Sequence, residues 1–240
     1  QQKANHIRKK LLLKPDARLL DIGCGWGPLA MHLASACQVH VTGITLANHQ
    51  LEAGRATVEE RGLSNLVDIR LADYRELEGQ YDAIVSVGMF EHVGARNYRE
   101  FFRCVAKLLK PRGVALLHTI GYSSTPTPTN PWIKRHIFPG GYIPSLSEVM
   151  TAIEASGLVA SDIEVWRRHY ARTLHEWNRR FQSERARFSS LKGEKFCRMW
   201  EFYLALSETA FELDDLVVFQ IQLAAENDTV PLTRDYAYTG

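Results

Sequence analysis

The sequence predicts an α/β protein with a doubly wound, mostly parallel seven-stranded sheet and a helical insertion after the fifth strand. Two observations lead to this fold class. From residue 18 to residue 121, short apolar runs alternate with segments of helical periodicity, which is the pattern of strand–helix–strand units around a parallel sheet. After residue 122 the alternation gives way to a Pro/Ser/Thr-rich stretch and then to long helical segments.

The first half supplies five of the strands. The run RLLDIG at 18–23 is almost wholly apolar, as expected for a strand buried on both faces of a sheet. The other strands are predicted at 39–45, 65–73, 81–88 and 114–121. Helices are predicted at 28–37, 47–62 and 97–113, after a helix end at 3–13, and we expect Pro111 and Gly113 to stop the helix at 97–113.

The second half supplies the insertion and the last two strands. The stretch SSTPTPTNP at 123–131 is predicted to be a loop or a mobile lid. A helix at 145–157 follows, with Ser145 or Ser147 as its N-cap. The remaining elements are a strand within 158–170, helices at 172–188 and 194–212, and a strand at 217–226. We therefore expect one domain over residues 1–240, with the insertion at about 122–205.

Composition excludes several classes of protein. No apolar run approaches the roughly 18 residues of a membrane span, and no signal peptide is evident. The four cysteines lie far apart and form no C-x-x-C pair, which indicates reduced thiols and a cytoplasmic location. The nine histidines show no metal-ligand spacing, so we predict no metal. The net charge of +2 indicates no class of partner.

The stretch LLDIGCGWGPLA at 19–30 indicates a ligand close to the backbone. Glycine permits tight turns and close approach, and a glycine loop between a strand and a helix often cradles a nucleotide. The spacing of Gly23, Gly25 and Gly27 is G-x-G-x-G, not the G-x-G-x-x-G of dinucleotide sites. A cofactor without a pyrophosphate fits better, with a turn kept only for packing as the alternative. No acid follows at the ribose position, although neutral side chains can also bind hydroxyl groups.

Seven segments in this order resemble the cyclopropane-fatty-acyl-phospholipid synthases and the mycolic acid cyclopropane synthases, which are S-adenosylmethionine (SAM) dependent methyltransferases. They are DIGCGWG, GITLANHQ, FEHVG, LLHTIG, IFPGGYIPS, HYARTLHEW and WEFYL…VVFQIQLA. The resemblance covers nearly the whole chain, and the segments from Glu91 onward make it specific. It implies the Rossmann-like fold of class I SAM methyltransferases.

The resemblance implies a set of cofactor-binding residues. Three residues of the glycine loop would line the methionine end of SAM, three at the end of the second strand would bind the ribose, and two at the end of the third would contact adenine. One histidine after the fourth strand would lie near the cofactor. In that order, the residues are Asp21, Gly23 and Gly25; Thr45, Leu46 and Gln50; Asp73 and Tyr74; and His92.

The family's reaction transfers a methyl group to a cis alkene, which leaves a carbocation on the acyl chain. A bound bicarbonate then removes a proton so that the ring can close. The resemblance implies that Glu91, His118, Tyr170 and the backbone amide of Ile120 hold this anion. His and Tyr can donate hydrogen bonds to an anion, and a carboxyl group can orient or protonate it. Candidates for aromatic stabilisation of the cation are Tyr122, Trp132, Phe138 and Tyr142.

The family's cysteine ligand of the bicarbonate has no match here. It should lie well before the glycine loop, and Cys24 within that loop is not its equivalent. We therefore expect that this chain lacks an N-terminal part, which in the phospholipid enzymes includes a separate domain, or that this member of the family has lost it.

The implied partners are phospholipid acyl chains at the membrane surface, so we expect peripheral membrane association. The segment from Arg167 to Arg198 contains ten Lys or Arg against three Asp or Glu, interleaved with aromatic residues, which suits either a solvated helix face or a surface that contacts lipid headgroups. No nucleic-acid module is present, so we predict no nucleic-acid partner. For the assembly of the protein, a homodimer is one alternative.

Two other functions remain open at this point. A small-molecule amine N-methyltransferase would share the glycine loop and the pair Glu91 and His92, but an amine is already nucleophilic and requires no carbocation handling. A catalytically inactive SAM-binding or lipid-binding module is the third hypothesis, because the family's cysteine is missing.

Overall fold

The computed structural model describes residues 2–238, and one seven-stranded sheet forms its centre. The strands lie in the order β3-β2-β1-β4-β5-β7-β6. Within the described chain, β7 runs in the opposite direction to the other six strands. This topology confirms the predicted fold class. The strands are β1 (Arg18–Ile22), β2 (His40–Thr45), β3 (Val67–Leu71), β4 (Tyr81–Val87), β5 (Leu109–Tyr122), β6 (Val159–Trp166) and β7 (Leu216–Ala224).

Helices pack on both faces of the sheet, because successive side chains of a strand point to opposite sides. Leu19 packs with Ile7 and Leu33 on one face, and Leu20 packs with Phe101 and Val149 on the other. The helices are α1 (Gln2–Lys10), α2 (Pro28–Cys37), α3 (Asn48–Glu60), α4 (Tyr98–Leu108), α5 (Pro131–His136), α6 (Leu146–Glu154), α7 (His169–Ser183), α8 (Arg185–Lys192), α9 (Glu194–Leu213) and α10 (Asp235–Tyr238).

The boundary between α4 and β5 differs from the prediction. The helix ends at Leu108, and β5 begins at once with Leu109, which is buried and pairs with Tyr81. Pro111 and Gly113 therefore lie within the strand. The prediction that they stop the helix was wrong. Burial of Leu109 in the sheet ends the helix earlier, and the ladder skips from Leu109 to Val114 around the proline, which has no N–H to donate.

The insertion contains more breaks than its sequence predicted. Ser145 caps α6 in a reciprocal capping box with Glu148, which decides between the two predicted caps. The predicted helix at 172–188 is interrupted at Glu184, so that α7 and α8 are separate, and Gly193 with a φ of +83° separates α8 from α9. Within residues 2–238, no helix combines the length and the apolar character that crossing a membrane requires.

Strand order determines where a ligand can bind. The sheet reverses its winding between β1 and β4, and the crevice at the carboxyl ends of the strands at such a point is the usual ligand site of doubly wound sheets. The loops after β1, β4 and β5 all open at this edge, and helices of the insertion cover it.

Candidate active site

The glycine loop connects β1 to α2 at this edge. Gly23 has a φ of +77°, and a Cβ atom there would lie 2.5 Å from Cγ of Met89. Gly25 has a φ of +59°, but a Cβ atom there would meet no atom within 4 Å. Position 23 therefore requires glycine both for its positive φ and for lack of space. Position 25 requires glycine for its positive φ alone and faces open space.

A cavity of about 460 Å³ lies beneath this loop, and we call it the loop cavity. Its lining includes Lys3, Asp21, Gly23, Cys24 and Val87. Asp21 is buried, its Oδ2 atom has no hydrogen-bond partner, and burial raises the pKa of its carboxyl group to about 7. A buried carboxylate without a partner is costly, so the loop cavity is suited to a ligand with a positive charge or hydrogen-bond donors.

The remaining predicted cofactor residues lie at the ends of β2 and β3. Thr45 Oγ1 donates to Gln50 Oε1 at 2.6 Å, while Leu46 is largely exposed. Asp73 accepts hydrogen bonds from Arg75, which lowers the pKa of its carboxyl group. Since β1, β2 and β3 are adjacent and parallel, these residues share the edge of the sheet at which the glycine loop lies.

The predicted catalytic residues meet in a second cavity of about 440 Å³, the central cavity. Glu91 comes from the 3₁₀ turn after β4, His118 and Ile120 from β5, and Tyr170 from the first turn of α7. Lys3 and Val87 line both this cavity and the loop cavity, so the two spaces are adjacent. His92, which we expected near the cofactor, lines the central cavity and is not among the residues of the loop cavity.

Glu91 has one carboxylate oxygen engaged and one free. Its Oε1 atom accepts from the Ile120 amide at 2.7 Å, and its buried Oε2 atom has no partner. Burial raises the pKa of Glu91, although the bond from Ile120 opposes this. The Ile120 amide is thus already bound to Glu91, and an anion could reach it only in place of that carboxylate oxygen.

His118 is a neutral donor in this structure. Gln220 Nε2 lies 3.0 Å from His118 Nδ1. With the Gln220 amide in this orientation, its N–H donates to Nδ1, which assigns the hydrogen of the neutral imidazole to Nε2. Burial, together with the positive charges of Lys3 and Lys10, lowers the pKa of His118 to about 3. The imidazole therefore stays uncharged at neutral pH and can donate a hydrogen bond but is a poor base.

Tyr170 is a second neutral donor. Its ring packs against Phe211 and Trp177, with centroids 5.2 and 6.0 Å away. Burial and the nearby Glu91 raise the pKa of its phenol. The central cavity consequently combines two neutral donors with a carboxyl group of raised pKa, a set that suits a small oxyanion.

A third space, the inner cavity of about 210 Å³, shares walls with the central cavity at Ile120, Phe138, Tyr170 and Tyr203. Both cavities are mainly apolar. Among the predicted aromatic candidates, Phe138 and Tyr142 line the central cavity and Tyr122 lines the inner cavity. Trp132 does not: its ring lies 4.6 Å from that of Phe202, in a groove on the outside.

Sequence analysis missed several residues of the site. Lys3, Trp200 and Tyr203 line the central cavity, and Gln220 orients His118. Gln220 lies in the apolar run VVFQIQLA, where a buried polar residue is itself a signal. Within residues 2–238, no group of three or more His, Cys, Asp or Glu side chains could hold a metal ion.

Comparison with known proteins supplies the context for this geometry. Residues 1–221 match the family model described as mycolic acid cyclopropane synthetase. The chain is 42% identical over 221 residues to the cyclopropane-fatty-acyl-phospholipid synthase of Escherichia coli, covering 92% of this chain but 56% of that protein. It is 31% identical over 224 residues to cyclopropane mycolic acid synthase 1 of Mycobacterium tuberculosis, covering 88% of this chain and 78% of the relative.

Comparison with solved structures agrees with these sequence matches. The cyclopropane synthase MmaA2 from Mycobacterium tuberculosis superimposes with a TM-score of 0.86 at 30% identity, over 92% of this chain and 82% of that one. The same values hold for the mycolic acid cyclopropane synthase CmaA1 complexed with SAH and CTAB. Coclaurine N-methyltransferase, at 23% identity, 92% and 70% coverage and a TM-score of 0.78, shares the fold alone.

Proposed function

This chain belongs to the mycolic acid cyclopropane synthetase family, and from that premise we propose that it uses SAM to convert cis double bonds of phospholipid acyl chains into cyclopropane rings. One observation carries the proposal: Glu91, His118 and Tyr170 surround an apolar cavity that adjoins the cavity beneath the glycine loop. The chain spans only 56% of the length of the Escherichia coli synthase, so the activity is proposed for the full-length protein.

The loop cavity and the neighbouring strand ends fit SAM. Asp21, buried and without a partner on Oδ2, would bind the positively charged methionine end. Thr45 and Gln50 would bind the ribose hydroxyls, and Asp73 and Tyr74 would contact the adenine. SAM supplies an electrophilic methyl group. Val87 and Lys3 mark the boundary across which this group would reach the central cavity.

The central and inner cavities fit an acyl chain. They are adjacent and mainly apolar, and aromatic side chains from three parts of the insertion form their walls. Phe138, Tyr142 and Tyr203 present rings to the space where the alkene would lie. Aromatic faces attract a cation, so these rings would stabilise the positive charge that develops on the acyl chain.

The chain's own side chains favour an external base. His118, with its pKa lowered to about 3, binds protons weakly, and the raised pKa of Glu91 favours its protonated form. Bicarbonate, when bound, supplies the base. His118 Nε2–H and the Tyr170 hydroxyl would donate hydrogen bonds to it. A proton on the free Oε2 atom of Glu91 would let that residue donate a third.

The test is mass spectrometry of membrane lipids from cells that express the full-length protein or its Glu91→Gln variant. We expect wild-type cells to gain the mass of one CH₂ group on unsaturated acyl chains. The variant should lose about 10²-fold or more of this activity, the usual range for a removed acid–base group, while it still binds SAM. The exposed Glu100→Gln is the control.

Three results would contradict the proposal. Unchanged lipids in wild-type cells, with methylated amines in the small-molecule fraction, would favour an amine methyltransferase. Unchanged lipids with SAM binding intact, and no methylated product, would favour an inactive module. Full turnover of the purified protein in carbonate-free buffer would exclude bicarbonate as the base while leaving the reaction itself in place.

A further inference from the structure

A groove of about 760 Å³ lies on the outside of the insertion, between α5 and the junction of α8 and α9. We call it the outer groove. Its cations are Lys192, Lys195 and Arg198, which are exposed, with His136 at its α5 side. Among the described residues, no Asp or Glu lines it. The groove therefore has a positive lining.

Four other cations of the same basic segment, Arg168, Arg179, Arg185 and Arg187, form ion pairs within the protein. Arg185 pairs with Glu194 and Glu201, and Arg179 pairs with Glu176. In the part of the chain that the structure describes, Lys192, Lys195 and Arg198 form no ion pair. Arg167, Arg172 and Arg180 also form no ion pair among the described residues, but they do not line the groove. Lys192, Lys195 and Arg198 are thus the cations of the segment that the groove offers to a ligand.

Aromatic rings lie among these cations. The ring of Trp132 meets that of Phe202 edge to face at 4.6 Å, and Phe202 is 51% exposed. Phe196 stacks on Trp200 with centroids 6.0 Å apart. Aromatic residues beside Lys and Arg are typical of surfaces at the boundary between water and lipid, and they are not required for binding a small anion in water.

The groove adjoins the interior. Asn130 and Leu206 line both the outer groove and the inner cavity. Along α9, Phe196 lines the groove, while Trp200 and Tyr203 line the central cavity. A cationic groove thus lies next to apolar cavities, of which the central one is lined by Glu91. This order of charged and apolar surfaces matches that of a phospholipid.

We propose that the outer groove docks on the membrane and binds the phosphate of an anionic phospholipid through Lys192, Lys195 and Arg198. The acyl chain then passes between Asn130 and Leu206 into the inner cavity. The use of that chain as substrate rests on the proposed function, whereas the docking rests on the charge and the aromatic residues of the groove.

The experiment is co-sedimentation of the full-length protein with vesicles of phosphatidylglycerol and phosphatidylcholine, compared with phosphatidylcholine alone. The test variant is Lys192→Ala/Lys195→Ala/Arg198→Ala. The control, Arg61→Ala/Arg103→Ala/Lys107→Ala, removes the same charge from exposed positions outside the groove. We expect the test variant to bind anionic vesicles at least about tenfold more weakly than both wild type and control, because each cation near an anionic surface contributes to the attraction.

Unchanged vesicle binding in the test variant would overturn the proposal, as would an equal loss in the control. Intact vesicle binding with lost binding to an acidic acyl carrier protein would assign the groove to a protein partner instead. Measuring lipid methylation in the same preparations separates the two proposals. If the wild type does not methylate lipid but only the test variant loses vesicle binding, the docking site stands and the proposed function fails.

Discussion

Asp21 shows how a single residue opposes stability in the free protein. Its carboxyl group is buried at the end of β1, with no partner for Oδ2, and burial raises its pKa to about 7. The unfolded chain has a pKa near 3.8 at this position. The folded state therefore binds the proton more tightly, so this group costs stability as pH rises through this interval, and the cost is complete above about pH 7.

We predict that Asp21→Asn stabilises the free protein at pH 8 by at most about 4 kcal/mol, at about 1.4 kcal/mol per pKa unit, and has little effect near pH 4. Urea unfolding at the two pH values measures this. The same variant should bind SAM about 10- to 100-fold more weakly, since hydrogen bonds to a charged group contribute about 1.5–3 kcal/mol. Asp68→Asn, at an exposed position of β3, is the control. Equal stability at pH 8, or unchanged SAM affinity, would contradict the argument.

For single residues, the sequence predicted which side chains lie in the site better than it predicted their protonation states. The positions of Glu91, His118 and Tyr170 followed from motifs, and the structure brings them into one cavity. The neutral state of His118 could not be predicted, because its lowered pKa depends on burial in the folded protein and on the lysines of α1. The tautomer depends on Gln220, 102 residues away in sequence. Lys3 was missed because nothing in a short basic helix indicates that one side chain reaches two cavities.

At the scale of elements, α1 is held to the sheet by a buried ionic cluster. Lys10, with 0% exposure, lies 2.9 Å from Asp162 and 3.4 Å from Glu164 of β6. His6 and Tyr238 bind the same Glu164 at 2.8 and 2.6 Å. Burial would raise the pKa of Glu164, but these hydrogen bonds and the charge of Lys10 outweigh it and lower the pKa. The cluster thereby fixes the helix that carries Lys3 over the two cavities.

We predict that Lys10→Met destabilises the protein by up to about 3–5 kcal/mol, the range for a broken buried ion pair. The buried cation between Asp162 and Glu164 is lost, and only Asp162 keeps a second cation, Arg234. Urea unfolding at neutral pH measures the loss. Lys9→Met, at a neighbouring position whose ammonium forms no ion pair among residues 2–238, should change the free energy of unfolding by less than about 0.5 kcal/mol. If the two variants lost the same stability, the cluster would contribute little.

Sequence patterns predicted elements well where burial is two-sided and less well elsewhere. Strands β1 and β4 are apolar over most of their length and were placed within about two residues. The end of α4 was misplaced because the pairing of Leu109 with Tyr81, 28 positions earlier, ended the helix before Pro111. The helix break at Glu184 could not be predicted, because no glycine or proline lies there. The ion pairs of the next residue, Arg185, with Glu194 and Glu201 form only in the folded chain.

At the scale of the whole molecule, the three cavities and the outer groove lie next to one another in a row. The loop cavity adjoins the central cavity at Val87, the central cavity joins the inner cavity at Tyr170, and the inner cavity meets the outer groove at Leu206. Under the proposed function, SAM and the lipid approach from opposite ends of this series. The reacting groups would then meet beside Glu91, inside the protein and away from water, which would otherwise capture a carbocation.

Leu206 offers a test of this continuity. We predict that Leu206→Trp, which adds bulk where the groove meets the inner cavity, lowers the rate of acyl methylation on vesicles by about tenfold or more, because a misplaced substrate reacts far more slowly. SAM affinity and vesicle binding should stay at wild-type values, since neither the loop cavity nor the cations of the groove are changed. Ala205→Trp places the same side chain at the adjacent, exposed position of α9 and should leave the rate unchanged. Equal rates for the two variants would mean that the acyl chain enters by another route, whereas loss of vesicle binding in Leu206→Trp would mean that the groove itself had been distorted.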